Sequence, residues 1–599
     1  MASSRRLIGA NLFFPSTGAV LEVVGVAVDE ALVAGWRARV SRARERLGWD
    51  VQGVVARRHS QGASFALAAP CDQLLTATEV NEWALCATLL ANDPQHWGGL
   101  EDTLIAATLE DAAEPQEVIP PVLEERAALD RLQRLAAAES RPALLEILVA
   151  ADARRLPHIL ADTELTLGAG AGGQDFALAK LPEPAAVPWD ELRDIPTALV
   201  TGSNGKTTTV RLLAACARAQ GWRCAYNCTD GVFLDADMLE SGDYSGPAGA
   251  WRVLREHRAQ AAIVEAARGG ILRRGVAVSQ AQVAIVTNIS PDHFGEYGID
   301  DLPGLADVKL TVAAVVAPAG LLVLNADDEL LVAKSRGLAA RFGRIPTLGW
   351  FAFDADAPML REHRAHGGST CGVRAGRLWV HHVGVDHDLG NIAAMPLSVG
   401  GSASYNIANL AGAGLAALAL RMSAEAVAAE FARFGAAPAD NPGRMMRFEV
   451  NGVRVLVDYA HNPAGLRGLL NVAEHLRAGA GRLGMLLGHA GNRQDAEIEE
   501  VARVAAEFHP ALIVVKENEG HLRGRESGEI PRLIVAELMR AGLPAAVLPV
   551  RMSELEAARC ALEWARPGDV LAMPVHSPAA RAQVLEMLGA VSAARAAGQ

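Results

Sequence analysis

The sequence has few cysteines, and their arrangement excludes a disulfide framework. The seven cysteines are odd in number and scattered along 599 residues, which is typical of reduced thiols in a cytosol. Cys224 and Cys228 lie four positions apart on one predicted strand, and no second pair follows nearby to complete a zinc site. We therefore interpret these two cysteines as packing residues.

The sequence also lacks a long hydrophobic run. No apolar stretch reaches the length that a membrane-spanning helix requires. The first residues are basic, but Asn11 and Pro15 interrupt the apolar segment that follows them, which does not fit a secretory signal peptide. We expect a cytoplasmic protein with no membrane partner.

An excess of positive charge is absent as well. The formal net charge of −13 disfavours nucleic acid or an anionic membrane as a general partner. Hydrophobic residues make up 50% and charged residues 21% of the chain, which is a globular composition. Because 599 residues exceed what one core can hold, three or four domains are expected.

Proline-rich segments and changes of pattern divide the sequence into three predicted domains. Residues 1–185 mix strand-like and helical runs and indicate an α+β domain without the spacing of a catalytic motif. Prolines between 182 and 188 form a connector, and residues 186–440 then alternate strands and helices, as in a mainly parallel sheet. Residues 441–599 repeat that alternation. The predicted fold class is multidomain α/β, with a central P-loop domain and a Rossmann-like C-terminal domain.

A strand, a glycine-rich loop and a helix follow one another from residue 195. Backbone N–H groups of such a loop, the helix N-terminus and a lysine together bind phosphates, and Thr207 is placed to ligate the magnesium of a nucleoside triphosphate. Strict Walker A spacing requires glycine where Val200 stands, so an ordinary glycine turn is the alternative interpretation. The predicted phosphate-binding residues are Gly202, Ser203, Asn204, Gly205, Lys206, Thr207 and Thr208.

Polar residues follow the next predicted strands at the sheet edge where α/β proteins place their sites. Glu265 ends one strand, so its carboxylate is in reach of the predicted magnesium, although a solvated glutamate is the alternative. Asp292 and His293 follow the next strand and offer a second metal-ligating or charge-stabilising pair. Five histidines between residues 363 and 387 match no metal-site spacing and are interpreted as surface residues, and residues 378–385 are predicted to form one strand.

Three arginines lie among glycines beside this edge. A loop of this composition suits a carboxylate or a phosphate better than a core. The residues are Arg268, Arg273 and Arg274.

The third predicted domain has its own polar residues at strand ends. They fall in residues 458–463, 488–493 and 516–517, and a basic segment follows at 523–525. Two such sets on two α/β domains predict a cleft between the domains, and closure of that cleft would assemble the site and expel water.

Several motifs, in this order along the chain, resemble those of the Mur ligase family. They are residues 201–208, 288–293, 324–328, 405–409, 441–444 and 458–461. Within that family the sequence is similar to the Mur-ligase half of cyanophycin synthetases, on residues 228–231, 242–247, 265–275, 458–465, 516–517, 523–525 and 528–529. The ATP-grasp domain expected between the N-terminal and Mur regions is missing, because Pro182 leads almost directly into the latter.

The resemblance implies ATP-driven amide formation through an acyl phosphate, with ATP and Mg²⁺. It implies metal ligation by Thr207, Glu265 and His293, and it places Asn406 and Asn409 near the adenine and Arg444 and Asp458 near the γ-phosphate and the ribose. The implied catalytic residues are Lys206, Glu265, His293 and Arg444. Lys309 falls where many Mur ligases carry a carbamylated lysine, and a plain helix lysine is the alternative.

The resemblance further implies an amine such as arginine joined to the side-chain carboxylate of an aspartate-type acceptor or peptide. A guanidinium requires carboxylates such as Glu517 or Glu529 as partners. A separate ATP-grasp ligase is an expected partner, and a homo-oligomer is left open. The predicted substrate residues are Arg268, Arg273, Arg274, His461, Arg493, Lys516, Glu517, Arg523, Arg525 and Glu529.

Three other functions are weighed against this one. The first is a P-loop switch or ATPase without ligation, which would not need the aspartate–histidine pair or the C-terminal cluster. The second is an accessory protein that binds polymer for an ATP-grasp enzyme, and the third is a folylpolyglutamate-type or cell-wall ligase.

Overall fold

A computed structural model describes residues 1–97, 124–292, 294–477, 479–491, 493–518 and 520–596. Near the N-terminus it has a four-stranded antiparallel sheet, in the spatial order Ser3–Leu7, Gly18–Val24, Gly62–Ala68 and Val54–His59. The helix Glu30–Leu47 starts where the Asp29 side chain accepts a hydrogen bond from Leu32 N, and Gly48 ends it in the left-handed conformation. Its buried Trp36 packs edge-on against Phe65 of the sheet.

A second small sheet leads from this region toward the centre of the chain. Its strands are His158–Leu160, Glu164–Leu167 and Gln174–Ala177. The N-terminal region also buries side chains in the central core, because Ala10 and Ile159 belong to the apolar cluster that includes Leu199. We propose domain boundaries near residues 185 and 441, supported by the separate sheets.

The central sheet has eleven strands in the described residues, and its middle is parallel. The strand Thr197–Thr201 lies between Ala261–Glu265 and Ala281–Val286, in parallel with both. This confirms the predicted α/β class and the predicted strands. The full spatial order is Asp237–Ser241, Gly231–Leu234, Cys224–Cys228, Ala261–Glu265, Thr197–Thr201, Ala281–Val286, Val316–Asn325, Leu348–Asp354, Ser369–Arg374, Arg377–His382 and Val385–Asn391.

Helices cover both faces of this sheet because its parallel strands are apolar on both sides. One apolar cluster joins the helices Lys206–Ala219 and Ser404–Ala419 to one face. A second cluster joins the helices Pro247–Leu254, Arg268–Arg274 and Leu302–Lys309 to the other face.

The C-terminal sheet is also mainly parallel. Its strands, in spatial order, are Met446–Val450, Val453–Asp458, Val570–Pro574, Leu483–Leu487, Leu512–Lys516 and Val550–Arg551. The helices packed around it are Pro463–Leu476, Asp495–Glu507, Glu529–Arg540, Glu554–Trp564 and Pro578–Ala596. The remaining α-helices of the described chain are Leu74–Asn92, Pro94–Trp97, Glu125–Glu139, Pro142–Ala153, Glu329–Ser335, Leu338–Phe342, Pro358–Ala365 and Ala424–Phe431.

The histidine-rich segment differs from the prediction of one strand over 378–385. It forms a hairpin, because Val383 and Gly384 both take positive φ and turn the chain between two antiparallel strands. His381 pairs with Asp386 at 2.7 Å. Within the described ranges, no three His, Cys, Asp or Glu side chains are grouped so that they could hold a metal ion. In the same ranges, no helix combines the length and apolar character needed to cross a membrane.

Residues of the N-terminal sheet contact the segment 294–300, which follows the central strand Ala281–Val286. The Arg5 guanidinium lies 4.4 Å from the centre of the Tyr297 ring, and Arg57 Nη1 donates to Gly298 O at 2.6 Å. Gly298 has φ of +65°, and a Cβ there would come within 2.3 Å of the His59 ring. The N-terminal domain therefore positions a segment that begins at the edge of the central sheet.

Candidate active site

The glycine-rich loop curls at the C-terminal end of the strand Thr197–Thr201. Gly202 has φ of +146° and Gly205 has φ of +85°, conformations that favour glycine. A Cβ on Gly202 would lie 1.8 Å from Thr287 Oγ1, and one on Gly205 would lie 2.2 Å from Asn409 Oδ1. Both glycines are therefore fixed by backbone conformation and by close neighbours, and the loop opens onto the N-terminus of the helix Lys206–Ala219.

The segment after the neighbouring strand supports the loop from behind. Ser203 N donates to Asn288 O at 2.9 Å, and Asn204 N donates to Asn288 Oδ1 at 3.0 Å. Thr287 Oγ1 donates to Asn204 O at 2.6 Å. These bonds set the curvature of the loop before any ligand binds.

Two lysines converge on the loop. Lys206 Nζ donates to Gly202 O and Ser203 O at 3.0 Å each, and Lys309 Nζ donates to Gly202 O at 2.8 Å. Lys309 is buried, and burial together with the nearby Lys206 charge holds its pKa well below the usual range. This environment therefore disfavours the charged form of the amine, and the neutral amine is the form that reacts with carbon dioxide.

Thr207 and Glu265 meet beneath the loop, as predicted for a metal-binding pair. Thr207 Oγ1 donates to Glu265 Oε2 at 2.8 Å, and Glu265 is 1% exposed. Burial raises the pKa of Glu265, although Lys206 and the Thr207 hydroxyl oppose the shift. Glu265 Oε1 has no hydrogen-bond partner among the described residues. A buried carboxylate oxygen without a partner, beside a hydroxyl, suits a hard divalent cation.

His293 lies outside the described residues, but its neighbour Asp292 contacts the C-terminal domain. Asp292 Oδ1 lies 3.7 Å from His461 Nε2 and 3.5 Å from Arg493 Nη2. Asn462 Nδ2 donates to Asn204 Oδ1 in the phosphate loop at 2.9 Å. Two predicted substrate residues, His461 and Arg493, thus lie next to Asp292 of the central domain, close to the glycine-rich loop.

Arg444 and Asp458 lie where the linker enters the C-terminal domain. Arg444 Nη2 donates to Thr229 Oγ1 at 3.2 Å, and its guanidinium lies 4.3 Å from the centre of the Tyr459 ring. Asp458 Oδ2 accepts from Met445 N at 2.7 Å. Asp458 therefore fixes the linker backbone directly after Arg444.

The remaining predicted nucleotide residues lie behind and beside the loop. Asn406 and Asn409 are buried; Asn409 Nδ2 donates to Asn406 Oδ1 at 3.1 Å, and Asn406 Nδ2 donates to Leu397 O at 3.1 Å. Thr208 Oγ1 accepts from Asn441 Nδ2 at 3.1 Å, which ties the phosphate-loop helix to the linker.

A cleft with about 360 Å³ of open space adjoins Leu397 and the linker. Its polar lining comes from Asn441, Arg444 and Arg447.

The three arginines of the glycine-rich segment separate. Arg268 is 6% exposed and pairs with Glu296, and burial lowers its pKa. Arg273 and Arg274 lie at the far end of the short helix Arg268–Arg274 and are exposed. Arg274 O accepts from Ile8 N at 2.8 Å, so this end packs on the N-terminal sheet. Arg268 alone among the three lies beside Asp292.

The predicted substrate roles of Lys516 and Glu517 are not supported by their positions. Lys516 is wholly enclosed, and its ammonium donates to Asn518 Oδ1 at 2.7 Å and pairs with the buried Glu554. Glu517 Oε2 accepts from Gly528 N at 2.6 Å, and its Oε1 accepts from Ser527 Oγ at 3.0 Å. These contacts of both side chains are therefore with groups inside the C-terminal domain.

The predicted guanidinium site around Glu529 is occupied by the chain's own arginine. Arg525 pairs with Glu529 and Asp495 at 2.7 Å each, and it donates to Gly491 O at 3.0 Å and to Arg493 O at 2.6 Å. Arg525 thereby fixes the backbone of Arg493, whose side chain reaches Asp292. Arg523 is exposed, with φ of +48°.

One interdomain ion cluster was missed from the sequence. Asp230 accepts from Arg211 at 2.6 Å and from Arg581 at 2.7 Å, and Arg211 also donates to Pro442 O at 2.9 Å. Burial opposes ionisation of Asp230, but Arg211, Arg444 and Arg581 outweigh it and lower its pKa. The motif at 228–231 marked Asp230, whereas nothing in the sequence marked Arg581.

The chain matches two family models over these same regions. The Mur ligase middle domain matches residues 200–417, and the Mur ligase glutamate ligase domain matches residues 443–573. Cyanophycin synthetase of Synechocystis sp. is 34% identical over 62% of this chain and 41% of its own length, and that of Trichormus variabilis is 36% identical over 57% and 37%. The chain thus spans about two fifths of the length of these curated relatives.

Other relatives are matched over more of their length. The UDP-N-acetylmuramoyl-L-alanyl-D-glutamate–2,6-diaminopimelate ligase of Alkalilimnicola ehrlichii is 30% identical over 62% of this chain and 69% of its own length. The solved structure of Mycobacterium tuberculosis folylpolyglutamate synthase complexed with ADP has 18% identity and a TM-score of 0.48, over 65% of this chain and 90% of that one. From the matched family models and the sequence relatives, we conclude that the chain belongs to the Mur ligase family.

Proposed function

We propose that this chain is an ATP-dependent ligase that joins an amine to a carboxylate through an acyl phosphate. The observation that carries the proposal is the meeting of Lys206 and the Thr207–Glu265 pair with C-terminal side chains at one phosphate loop. A simple ATPase does not require a second α/β domain bound to that loop. A ligase does, because the amine must be brought to an activated carboxylate.

The nucleotide end would hold the triphosphate through fixed groups. Lys206 and the loop N–H groups would bind the β- and γ-phosphates. Thr207 and Glu265 would hold Mg²⁺, which neutralises phosphate charge when bound. Arg444 would lie at the γ-phosphate, and Tyr459 beneath it keeps its guanidinium in place.

The cleft beside Leu397 is the proposed nucleoside pocket. Asn406 holds Leu397 O, and Asn409 packs against Gly205, so the two asparagines connect the pocket wall to the phosphate loop. Asp458 would affect the position of the ribose indirectly, through the linker backbone that it fixes at Met445.

The ligation itself would proceed in two steps. The γ-phosphoryl group moves to an oxygen of the acceptor carboxylate, and ADP leaves. The amine nitrogen then attacks the acyl carbon, loses a proton, and inorganic phosphate departs. Arg268, Arg493 and His461, which gather around Asp292, are proposed to hold the carboxylate and the incoming amine.

The substrate hypothesis follows the cyanophycin-synthetase resemblance. We propose arginine as the amine and an aspartate side-chain carboxylate of a peptide as the acceptor. The chain then adds a side chain to a backbone that a separate ATP-grasp enzyme supplies.

An assay of ADP release tests the function. Purified protein with ATP and Mg²⁺ is offered a panel of amino acids, with and without β-aspartyl acceptor peptides. Dependence of turnover on both an acid and an amine supports the ligase, with the product bond verified by mass spectrometry. ATP turnover that does not depend on either substrate would support a P-loop ATPase. Tight peptide binding without turnover would support an accessory role. Turnover with glutamate and a pteroyl acceptor would support a folylpolyglutamate-type enzyme.

A further inference from the structure

A charged network lies fully inside the C-terminal domain, at the strand ends that face the cleft. Lys516 and Glu554 are both 0% exposed and form an ion pair. His576, 8% exposed, lies with its Nδ1 3.1 Å from Lys516 Nζ. Glu554 also accepts from the backbone N–H groups of His576 at 2.9 Å and Ser577 at 2.8 Å. The predicted substrate lysine thus belongs to an internal network.

The network determines which nitrogen of His576 carries the proton. Lys516 Nζ lies 3.1 Å from His576 Nδ1, and Asn518 Nδ2 lies 3.2 Å from it. Asn518 Oδ1 accepts from Lys516, so its amide nitrogen faces the ring. Because an ammonium and an amide nitrogen only donate, and the carboxylate oxygen Glu554 Oε1 lies farther from Nδ1 at 3.5 Å, we assign Nδ1 as the acceptor and place the proton on Nε2. Burial and the Lys516 charge also lower the pKa of His576, which keeps the ring neutral.

The protonated nitrogen points at the turn that crosses the cleft. His576 Nε2 lies 3.2 Å from Ala460 O, the carbonyl that it must donate to in this tautomer. Tyr459, one residue earlier, packs edge-on against His576 with ring centres 5.3 Å apart, and Arg444 covers the same ring. The turn continues into Asn462, which donates to the phosphate loop.

We propose that Lys516, Glu554 and His576 are positioning residues that fix the turn 459–462 and, through Tyr459, the guanidinium of Arg444. This inference rests on the proposed ligase function and identifies what holds the C-terminal half of that site in register. A buried ion pair seldom stabilises a fold more than well-packed apolar side chains would. The Lys516–Glu554 pair lies behind a turn that contacts both Arg444 and the phosphate loop. This location gives the pair a functional explanation.

Two substitutions of the histidine separate positioning from packing. In His576→Gln the side-chain amide can still donate to Ala460 O, so we expect kcat/KM within about fivefold of wild type. In His576→Leu the bond is lost, and we expect a loss of roughly 100-fold, the scale of a misplaced catalytic group. Since leucine also alters packing, the comparison with glutamine is the informative one.

Asp569→Asn is the matched control. The strand Val570–Pro574 leads to His576. Asp569 lies at the other end of this strand and pairs with Arg482 at 2.6 Å. Its substitution should lower the thermal midpoint while leaving kcat/KM within twofold of wild type. The double variant Lys516→Met/Glu554→Gln removes both buried charges together, so it avoids an unpaired charge, and it should reproduce the loss of His576→Leu.

Two readouts test the network. Hydrogen exchange of the peptide containing residues 458–462, measured without substrates, should accelerate at least tenfold in His576→Leu and not in Asp569→Asn. A double-mutant cycle of His576→Leu with Arg444→Lys should be non-additive by at least tenfold in kcat/KM.

Wild-type exchange in His576→Leu, or additive effects in the cycle, would overturn the inference. Absence of acid- and amine-dependent turnover in the wild type would instead count against the proposed function, because the exchange measurement does not depend on ligation.

Discussion

The nucleotide end, around Lys206 and Glu265, and the segment 516–529 both carry charged residues, yet they use them differently. At the nucleotide end, Glu265 keeps a buried oxygen without a partner among the described residues. In the segment 516–529, Glu517 and Glu529 are bound to groups within the segment. A site shaped for a ligand leaves polar atoms for that ligand, whereas a structural network pairs them internally.

This difference predicts that the two regions will respond differently to substitution. Changes at the nucleotide end should abolish chemistry with little loss of fold. Changes at Arg525 should act through the position of Arg493, whose backbone Arg525 holds.

The largest effect is expected from Lys206→Ala. Its ammonium is the proposed cation for the transferring phosphoryl group, and loss of one such preorganised group costs at least about 100-fold in kcat. Steady-state ADP release measures the change, and Lys180→Ala, on an exposed lysine, is the control. Turnover within a few-fold of wild type in Lys206→Ala would remove the basis of the comparison.

Glu265→Gln should follow, with roughly a 100-fold loss of turnover and a higher Mg²⁺ concentration needed for half-maximal activity. The same change should raise the thermal midpoint of the metal-free protein at pH 7, because the cost of burying the carboxylate charge disappears. A magnesium titration of ADP release and a melting curve measure the two effects. An unchanged magnesium requirement would contradict the proposed metal-binding role.

Asp230→Asn should give an intermediate effect, since Asp230 joins both domains. Three arginines lower its pKa in the folded state, so its contribution to stability is present above the pKa of an unfolded carboxyl and disappears as pH falls through the folded-state pKa. The variant should melt several degrees below wild type at pH 7, and the difference should shrink below about pH 4. Melting curves across pH measure it, and a constant difference would contradict the ion pairing.

The smallest effects should come from residues 523–525 of the segment. Arg525→Ala should raise the KM for the amine about tenfold by loosening the Arg493 backbone, with kcat nearly unchanged. Arg523→Ala, two residues away and exposed, should change KM less than twofold. Initial rates against amine concentration separate the two. An equally large increase in KM in both variants would support direct substrate contact by this segment.

The sequence allowed prediction of the parts of the fold that depend on local pattern. The strand Ala261–Glu265 and the phosphate loop are recognisable because apolar runs end in polar residues, and parallel strand ends share one edge. The contact of Thr207 with Glu265 follows from that rule. The hairpin at 377–391 was missed because a two-residue turn containing Val383 carries only a weak signal.

Long-range pairing could not be predicted. Lys516 follows an apolar strand, as a site residue would, and only the packing of Glu554 and His576 over that strand end shows that it is enclosed. Arg581 lies 351 positions from its partner Asp230. No motif marked Glu554, His576 or Arg581, so each contact required the fold.

The shared core of Ala10 and Ile159 with Leu199 bears on how this protein could be divided. Removing everything before residue 186 would expose apolar side chains of the central sheet. It would also remove the contacts that Arg5 and Arg57 make with Tyr297 and Gly298. The N-terminal region therefore packs as a fixed part of the central domain and not as a detachable module.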